Sequence, residues 1–193
     1  KNAYMNWRTN ETDIPNNLFV LAEGFSKAAQ LLMEEIIEDN HDKKADCIIF
    51  PIIYSIDHSI ELYLKAIIRA IETINKKHAS NHTIHDIRSL LKTMISLIEK
   101  KEIRTKGLQR HIEPVKSYID ELYSFIKVDE SKKGLKIDFA RYPIDTDERP
   151  HFYICNLNNV VIDIENLMEL NQKIHVCLES LFYKYQHELE EIL

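Results

Sequence analysis

An all-α antiparallel bundle of about five helices is what this sequence predicts, and three observations carry the prediction. Apolar residues recur at three- and four-residue spacing through several long stretches, the signature of amphipathic helices. Only three glycines and five prolines interrupt 193 residues. The chain is also rich in Ile, Leu, Glu and Lys, a composition that favours helix over sheet in a short-looped bundle.

Residues 1–15 are polar and read as a loose lead-in. Asn16 or Asn17 is expected to cap a first helix running to about Asp39. Its stripe is Leu18, Leu21, Ala22, Phe25, Ala29, Leu32 and Ile36. Residues 40–44 form a turn. A second helix follows from about Ala45 to Asn75, with Pro51 predicting a kink or a late start. Lys76–Thr83 is a polar connection to a third helix, about His85 to Lys101. Gly107 interrupts or precedes a fourth helix that extends to about Ile126 through Ile112, Val115, Tyr118, Ile119, Leu122 and Phe125.

Residues 128–160 break the helical pattern, with Gly134, Pro143, Pro150 and scattered Asp and Asn. Phe152-Tyr153-Ile154-Cys155 reads as a possible short strand. About 30 residues without helical periodicity are long for a loop, and such segments are usually functional loops or covers. A last helix runs from about Ile162 to Ile192. One domain covering residues 1–193 is expected, long enough to bury a sizeable core.

Composition narrows the function classes. Hydrophobic residues make up 45% and charged residues 29%, ordinary for a globular protein. Asp57, Glu61 and Lys65 interrupt the most apolar run, so no membrane span is expected. No signal-peptide pattern is visible, and a cytoplasmic location is the expectation. Cys47, Cys155 and Cys177 are odd in number and lack metal spacing, so they read as reduced core thiols. The net charge is −6, yet residues 76–116 hold ten Lys or Arg against four acids, a local balance of +6. A basic middle suits a phosphate-bearing partner such as RNA, because neutralising phosphates drives nucleic-acid binding; the alternative is solvated Lys on helix faces.

Residues 51–71 are the most informative stretch. Ile53, Ile56, Ile60, Tyr63, Leu64, Ile67 and Ile71 share one broad apolar face at 3.6 residues per turn. Asp57, His58, Glu61 and Lys65 fall on an adjacent strip, while Ser55, Ser59 and Ala66 form a small-residue side. An unpaired buried charge is costly, so these groups must bond another segment or face a cleft. The expected arrangement is a polar network of His58, Glu61 and Lys65 with His85, Asp86, Arg141 or Tyr142, tying the irregular segment to the bundle. A ligand site along the same strip is the other possibility. His82 and His85 with Glu61 or Asp86 have zinc-ligand chemistry on paper. Capping of the third helix by Asp86 is the expected use, and neither metal nor cofactor is expected. Tyr142 and Tyr153 are candidates to stack on bases or to pack under a loop.

The phrase Pro51…His58-Ser59-Ile60-Glu61-Leu62-Tyr63-Leu64-Lys65-Ala66 resembles a helix of bacterial HEPN-superfamily proteins. His85-Asp86-Ile87-Arg88-Ser89-Leu90-Leu91 is similar to the His-Asp motif that follows in that group. Asp138-Phe139-Ala140-Arg141-Tyr142-Pro143 resembles its later aromatic phrase before a long final helix. The three occur in the family's order across roughly residues 45–190. This resemblance implies a helical bundle, often a homodimer, from phage-defence or toxin–antitoxin systems with an antitoxin or sensor partner. Many such proteins are metal-independent ribonucleases; a catalytically silent dimerisation or docking module is the other reading.

Those nucleases carry an Arg followed, after four to six residues, by a His. Arg104-Thr-Lys-Gly-Leu-Gln-Arg-His111 matches, making Arg104 and His111 the implied catalytic pair. RNA cleavage by its own 2′-hydroxyl needs a base, an acid for the leaving oxygen and a cation for the charge on phosphorus. His and Arg supply those roles near neutral pH. A competing set is Arg141 with His151-Phe152-Tyr153, which has the family's His-x-Tyr ending but a longer spacing.

Overall fold

The computed structural model describes residues 1–76, 84–102, 105, 107–125, 139–145, 147–155 and 159–192. Among them are seven helices: α1 (Ile14–Glu38), α2 (Ala45–Ile74), α3 (Ile87–Lys101), α4 (Leu108–His111), α5 (Glu113–Phe125), α6 (Phe152–Cys155) and α7 (Ile164–Glu190). The protein is all-α, as the periodicity requires.

Aspartates set three of the helix starts. Asp13 accepts the Asn16 N–H at 3.0 Å and Pro15 sits in the first turn, where its missing N–H costs nothing. Asn16 and Asn17 are therefore not the caps; Asn17 instead bonds back to Asn10 through both its amide atoms, at 2.8 and 2.6 Å. Asp86 caps α3 by accepting from the Arg88 N–H at 3.1 Å. Asp163 caps α7 by accepting from the Asn166 N–H at 3.0 Å.

Two expectations need correction. The helix after Gly107 is divided into α4 and α5 at Ile112. Pro114 is the reason, since it has no N–H to return to the Arg110 carbonyl one turn back. Phe152–Cys155 is a single helical turn and not a strand. All four of its side chains are apolar, so the segment never had a true alternation to obey. Among the described residues the only β pairing is an isolated bridge between Ile144 and Pro150. Pro51, by contrast, neither delays nor ends α2, which starts at Ala45 and runs through it.

Contacts between helices fix their directions. Phe19 meets Tyr63 and Phe25 meets Tyr54, so α1 and α2 are antiparallel. Phe19 also stacks on Phe182 at 4.2 Å while Asn171 reaches the Ser26 carbonyl, so α1 and α7 are antiparallel too. α3 starts beside Glu61 of α2 and ends beside Tyr185 of α7, running in the same general sense as both. The bundle is thus not a simple alternation of up and down.

α2 is the axis of this arrangement, packed by α1, α3 and α7. Ile52, Ile56, Ile60, Tyr63, Leu64, Ile67 and Ile71 are completely buried. Contrary to the sequence expectation, α2 has the length and composition to cross a membrane, with a mean hydropathy of 1.3 over its most apolar window. In this fold its apolar sides are covered by other helices. Cys177 is buried but Cys47 is exposed, so not all the cysteines are core thiols.

Gly24 sits in the interior of α1, and a Cβ built there meets nothing within 4 Å. Packing does not require this glycine, and glycine in a helix interior costs roughly 0.5–1 kcal/mol relative to alanine. Gly24→Ala is expected to raise unfolding stability by about that amount in urea titrations; a loss would show that the bare backbone is needed.

Candidate functional site

Between Ile52 and Ile68, every residue of α2 is buried except Tyr54, His58 and Glu61. Their spacing of four and three places them on one stripe. Partly buried Phe50 continues it at one end, and Lys65 then Arg69 at the other. Among the described residues, this seam is the single opening along the helix's central length. Phe25 of α1 forms one flank, edge-on to the His58 ring at 4.5 Å. His85, just ahead of α3, stands on another side, with its side chain 74% exposed.

Glu61 is the centre of the seam. Its Oε1 accepts from the Lys65 ammonium at 2.6 Å and lies 3.0 Å from His85 Nδ1. His58 Nδ1 stands 3.8 Å from Oε2, an ion-pair distance and not a hydrogen bond. Burial pushes the Glu61 carboxyl up, but His58, Lys65 and His85 together outweigh it and hold it down at about 2. A carboxylate that accepts the His85 Nδ1–H leaves that ring's Nε2 as the nitrogen available for other chemistry, while His58 presents Nδ1 to the same carboxylate at ion-pair distance.

The predicted network divides into three parts. Glu61, Lys65, His58 and His85 come together as expected. Asp57 leaves the strip: its Oδ1 accepts from the Tyr118 hydroxyl of α5 at 2.6 Å. Asp86 also belongs elsewhere. Besides capping α3 it accepts from the Ser89 hydroxyl at 2.5 Å and from the Tyr123 hydroxyl. The Arg88 guanidinium covers the Tyr123 ring at 3.9 Å.

Arg141 and Tyr142 join the seam through aromatic contacts. The Arg141 guanidinium lies 5.5 Å from the Tyr54 ring centre and 5.2 Å from that of Tyr142. Tyr54 in turn stacks on His58, with ring centres 5.6 Å apart and planes 11° from parallel. Of the competing trio, His151 is 6.3 Å from Tyr153, whose ring meets Phe50 at 5.2 Å. Phe50 and Tyr54 are one turn apart, so Arg141 and Tyr153 rest over the same end of the seam. Tyr142, half exposed, borders it.

Arg104 lies outside the described residues, as do Lys77, His78, His82, Lys106 and Asp138. His111 is on α4, and its Nε2 is 2.9 Å from the Ser180 hydroxyl and 3.3 Å from the Cys177 carbonyl. Ser180 donates its own proton to that carbonyl, so the His111 N–H donates to Ser180 and ties α4 to α7. Several basic residues of the middle segment are paired locally: Arg88 with Asp120, Lys101 with Glu188 and Lys116 with Glu113.

Tyr54 and Phe25 were not singled out as site residues, although Tyr54 stands one turn before His58 and that spacing reveals it. The Tyr63 hydroxyl to His175 Nδ1 contact, at 2.7 Å, had no local signal. No family model, curated protein or solved structure matches the chain.

Lys65→Met keeps length and removes the partner of a nearly buried carboxylate, so a loss of about 2–3 kcal/mol is expected. Lys92→Met, at an exposed position, should change stability by less than about 0.5 kcal/mol; equal effects in denaturant titrations would mean the Glu61 cluster is merely solvated. Glu61 is held below its ordinary value of 4.5, so its stabilisation is complete above that pH and disappears as pH falls toward about 2. Glu61→Gln should therefore flatten the acid limb of a stability-against-pH curve, although it lowers stability at pH 5.

Proposed function

We propose that this chain is a HEPN-like effector that binds RNA along the α2 seam and cleaves it without metal. The observation that carries the reading is that His58 and His85 share one carboxylate, Glu61, in the opening that the described residues leave along the central helix. Two imidazoles oriented in this way suit the two proton transfers of the reaction. One Nε2 takes the 2′-hydroxyl proton as the 2′-oxygen attacks phosphorus. The other donates a proton to the 5′-oxygen as the P–O5′ bond breaks, leaving a 2′,3′-cyclic phosphate and a 5′-hydroxyl. Arg141 supplies positive charge beside the seam, and the exposed Tyr142 ring offers a face for an unpaired base. The HEPN resemblance of the same segments supports this class, with a cytoplasmic homodimer in a defence or toxin–antitoxin setting as the accompanying proposal.

A second reading is favoured by the tethering roles of the same residues. Glu61 with His85 joins α2 to the start of α3, and His111 joins α4 to α7. A silent module that dimerises or docks an antitoxin or sensor partner uses them only in that way.

Incubation of the chain with single-stranded RNA in EDTA separates the alternatives. The seam reading expects cyclic-phosphate products, with a loss of about 100-fold or more in His85→Ala and in His58→Ala. Loss in His111→Ala alone would move the chemistry to the Arg104–His111 pair, and an inactive wild type that binds no RNA would leave the docking module.

A further inference from the structure

We propose that Asp57 and Tyr118 form a pH-sensitive latch that docks α5 on α2 when the Asp57 carboxyl is protonated and loosens it when the carboxyl ionises. This goes beyond the RNA reading and does not depend on it. The geometry is unusual for a carboxyl group. Asp57 is 5% exposed in the middle of the bundle's axial helix. Among the described residues its Oδ1 has one partner, the buried hydroxyl of Tyr118, while its Oδ2 is buried without a hydrogen-bond partner. No cation bonds it among the described residues.

The groups that face Asp57 are few. From α5 there is Tyr118, with Glu121 acting on that phenol from the same helix. From α2 there is Glu61, one turn on, whose own charge is taken up by Lys65, His58 and His85. An ionised Asp57 is therefore a buried charge with a single hydrogen bond and a second carboxylate nearby. Burial pushes the Asp57 carboxyl up; Tyr118 draws it partly back and Glu61 raises it further, leaving it at about 7. Since the folded-state value is raised above the ordinary 3.8, the folded protein holds a proton that the unfolded chain releases. Stability from this group is complete below about pH 4 and is lost as pH rises through about 7.

α5 packs mainly on α7, and the release is directed at it because, among the described residues, little else polar ties it to α2. Ile112, Val115 and Ile119 bury an apolar face, and Tyr123 bonds Asp86 while Asp120 pairs with Arg88. Both of those outer links end at the start of α3. Among the described residues, Asp57–Tyr118 is the one hydrogen bond from α5 into the centre of α2.

Amide hydrogen exchange, corrected for intrinsic rates and read per helix between pH 5.5 and 8.5, tests the latch. In the wild type the peptide covering α5 is expected to lose protection about ten-fold or more across this range, with α1 unchanged. Asp57→Asn keeps an acceptor for Tyr118 and cannot ionise, so protection of α5 should become independent of pH whatever its absolute level. Should Asp57→Asn fail to fold, Tyr118→Phe removes the one bond that favours the ionised form and should move the transition to higher pH. A wild type whose α5 protection does not change, a loss spread uniformly over all helices, or an Asp57→Asn protein as pH-dependent as the wild type each overturns the proposal.

Discussion

Glu61 is a charge one turn away from a fully buried stretch of helix, and the arrangement around it follows from that constraint. α2 contributes most of the bundle's apolar axis, so any ionisable group on it must either reach a partner or be held neutral. Glu61 takes the first course. Lys65 from the next turn meets it at 2.6 Å, and His85 comes from outside the helix to the same oxygen. Asp57, on a neighbouring side of the same helix, is pushed toward the second course, with one phenol and no counter-charge among the described residues. Two carboxyls four residues apart are thereby pushed in opposite directions, one toward about 2 and the other toward about 7.

That contrast organises the helices around α2. The charged side draws in the start of α3 and leaves an opening, because His85 remains in solvent and α1 covers only the flank where Phe25 meets His58. The Asp57 side meets α5, which arrives with tyrosines where a purely apolar helix would bring leucines. Tyr118 and Tyr123 each use the ring for packing and the hydroxyl for an aspartate, a pairing of roles that suits buried tyrosine. At the far end of α3 the pattern recurs. Burial pushes the Glu102 carboxyl up, but Lys184 and the Tyr185 hydroxyl outweigh it and hold it below its ordinary value.

Much of the fold was legible in the sequence because its longest helices are periodic and their starts carry aspartates. The limits of α1, α2, α3 and α7 are nearly those expected, and Asp86 was recognisable as a cap, but the stripe of α1 is displaced: Leu21 is half exposed and Phe19, Ser26 and Met33 are buried in its place. The errors are local in origin. Pro114 divides α4 from α5, although the apolar spacing across it is unbroken. Phe152–Cys155 is apolar at every position, so no period can be read from it. Asp13 outcompetes Asn16 and Asn17 as a cap because only it precedes a proline in the first turn.

The sequence by itself determined that a helix from Ala45 to about Asn75 would be buried on most sides, and that Glu61 and Lys65, one turn apart, would pair on it. Local spacing is sufficient for both. It did not determine that Asp57 would turn away from its neighbours to Tyr118, or that Asp86 would serve Tyr123 and not Glu61. Nor did it show that Arg141 would reach the seam through the face of Tyr54. Each of those choices depends on which helix lies against which side of α2, and positions 61, 37 and 87 residues apart meet only after the chain has packed.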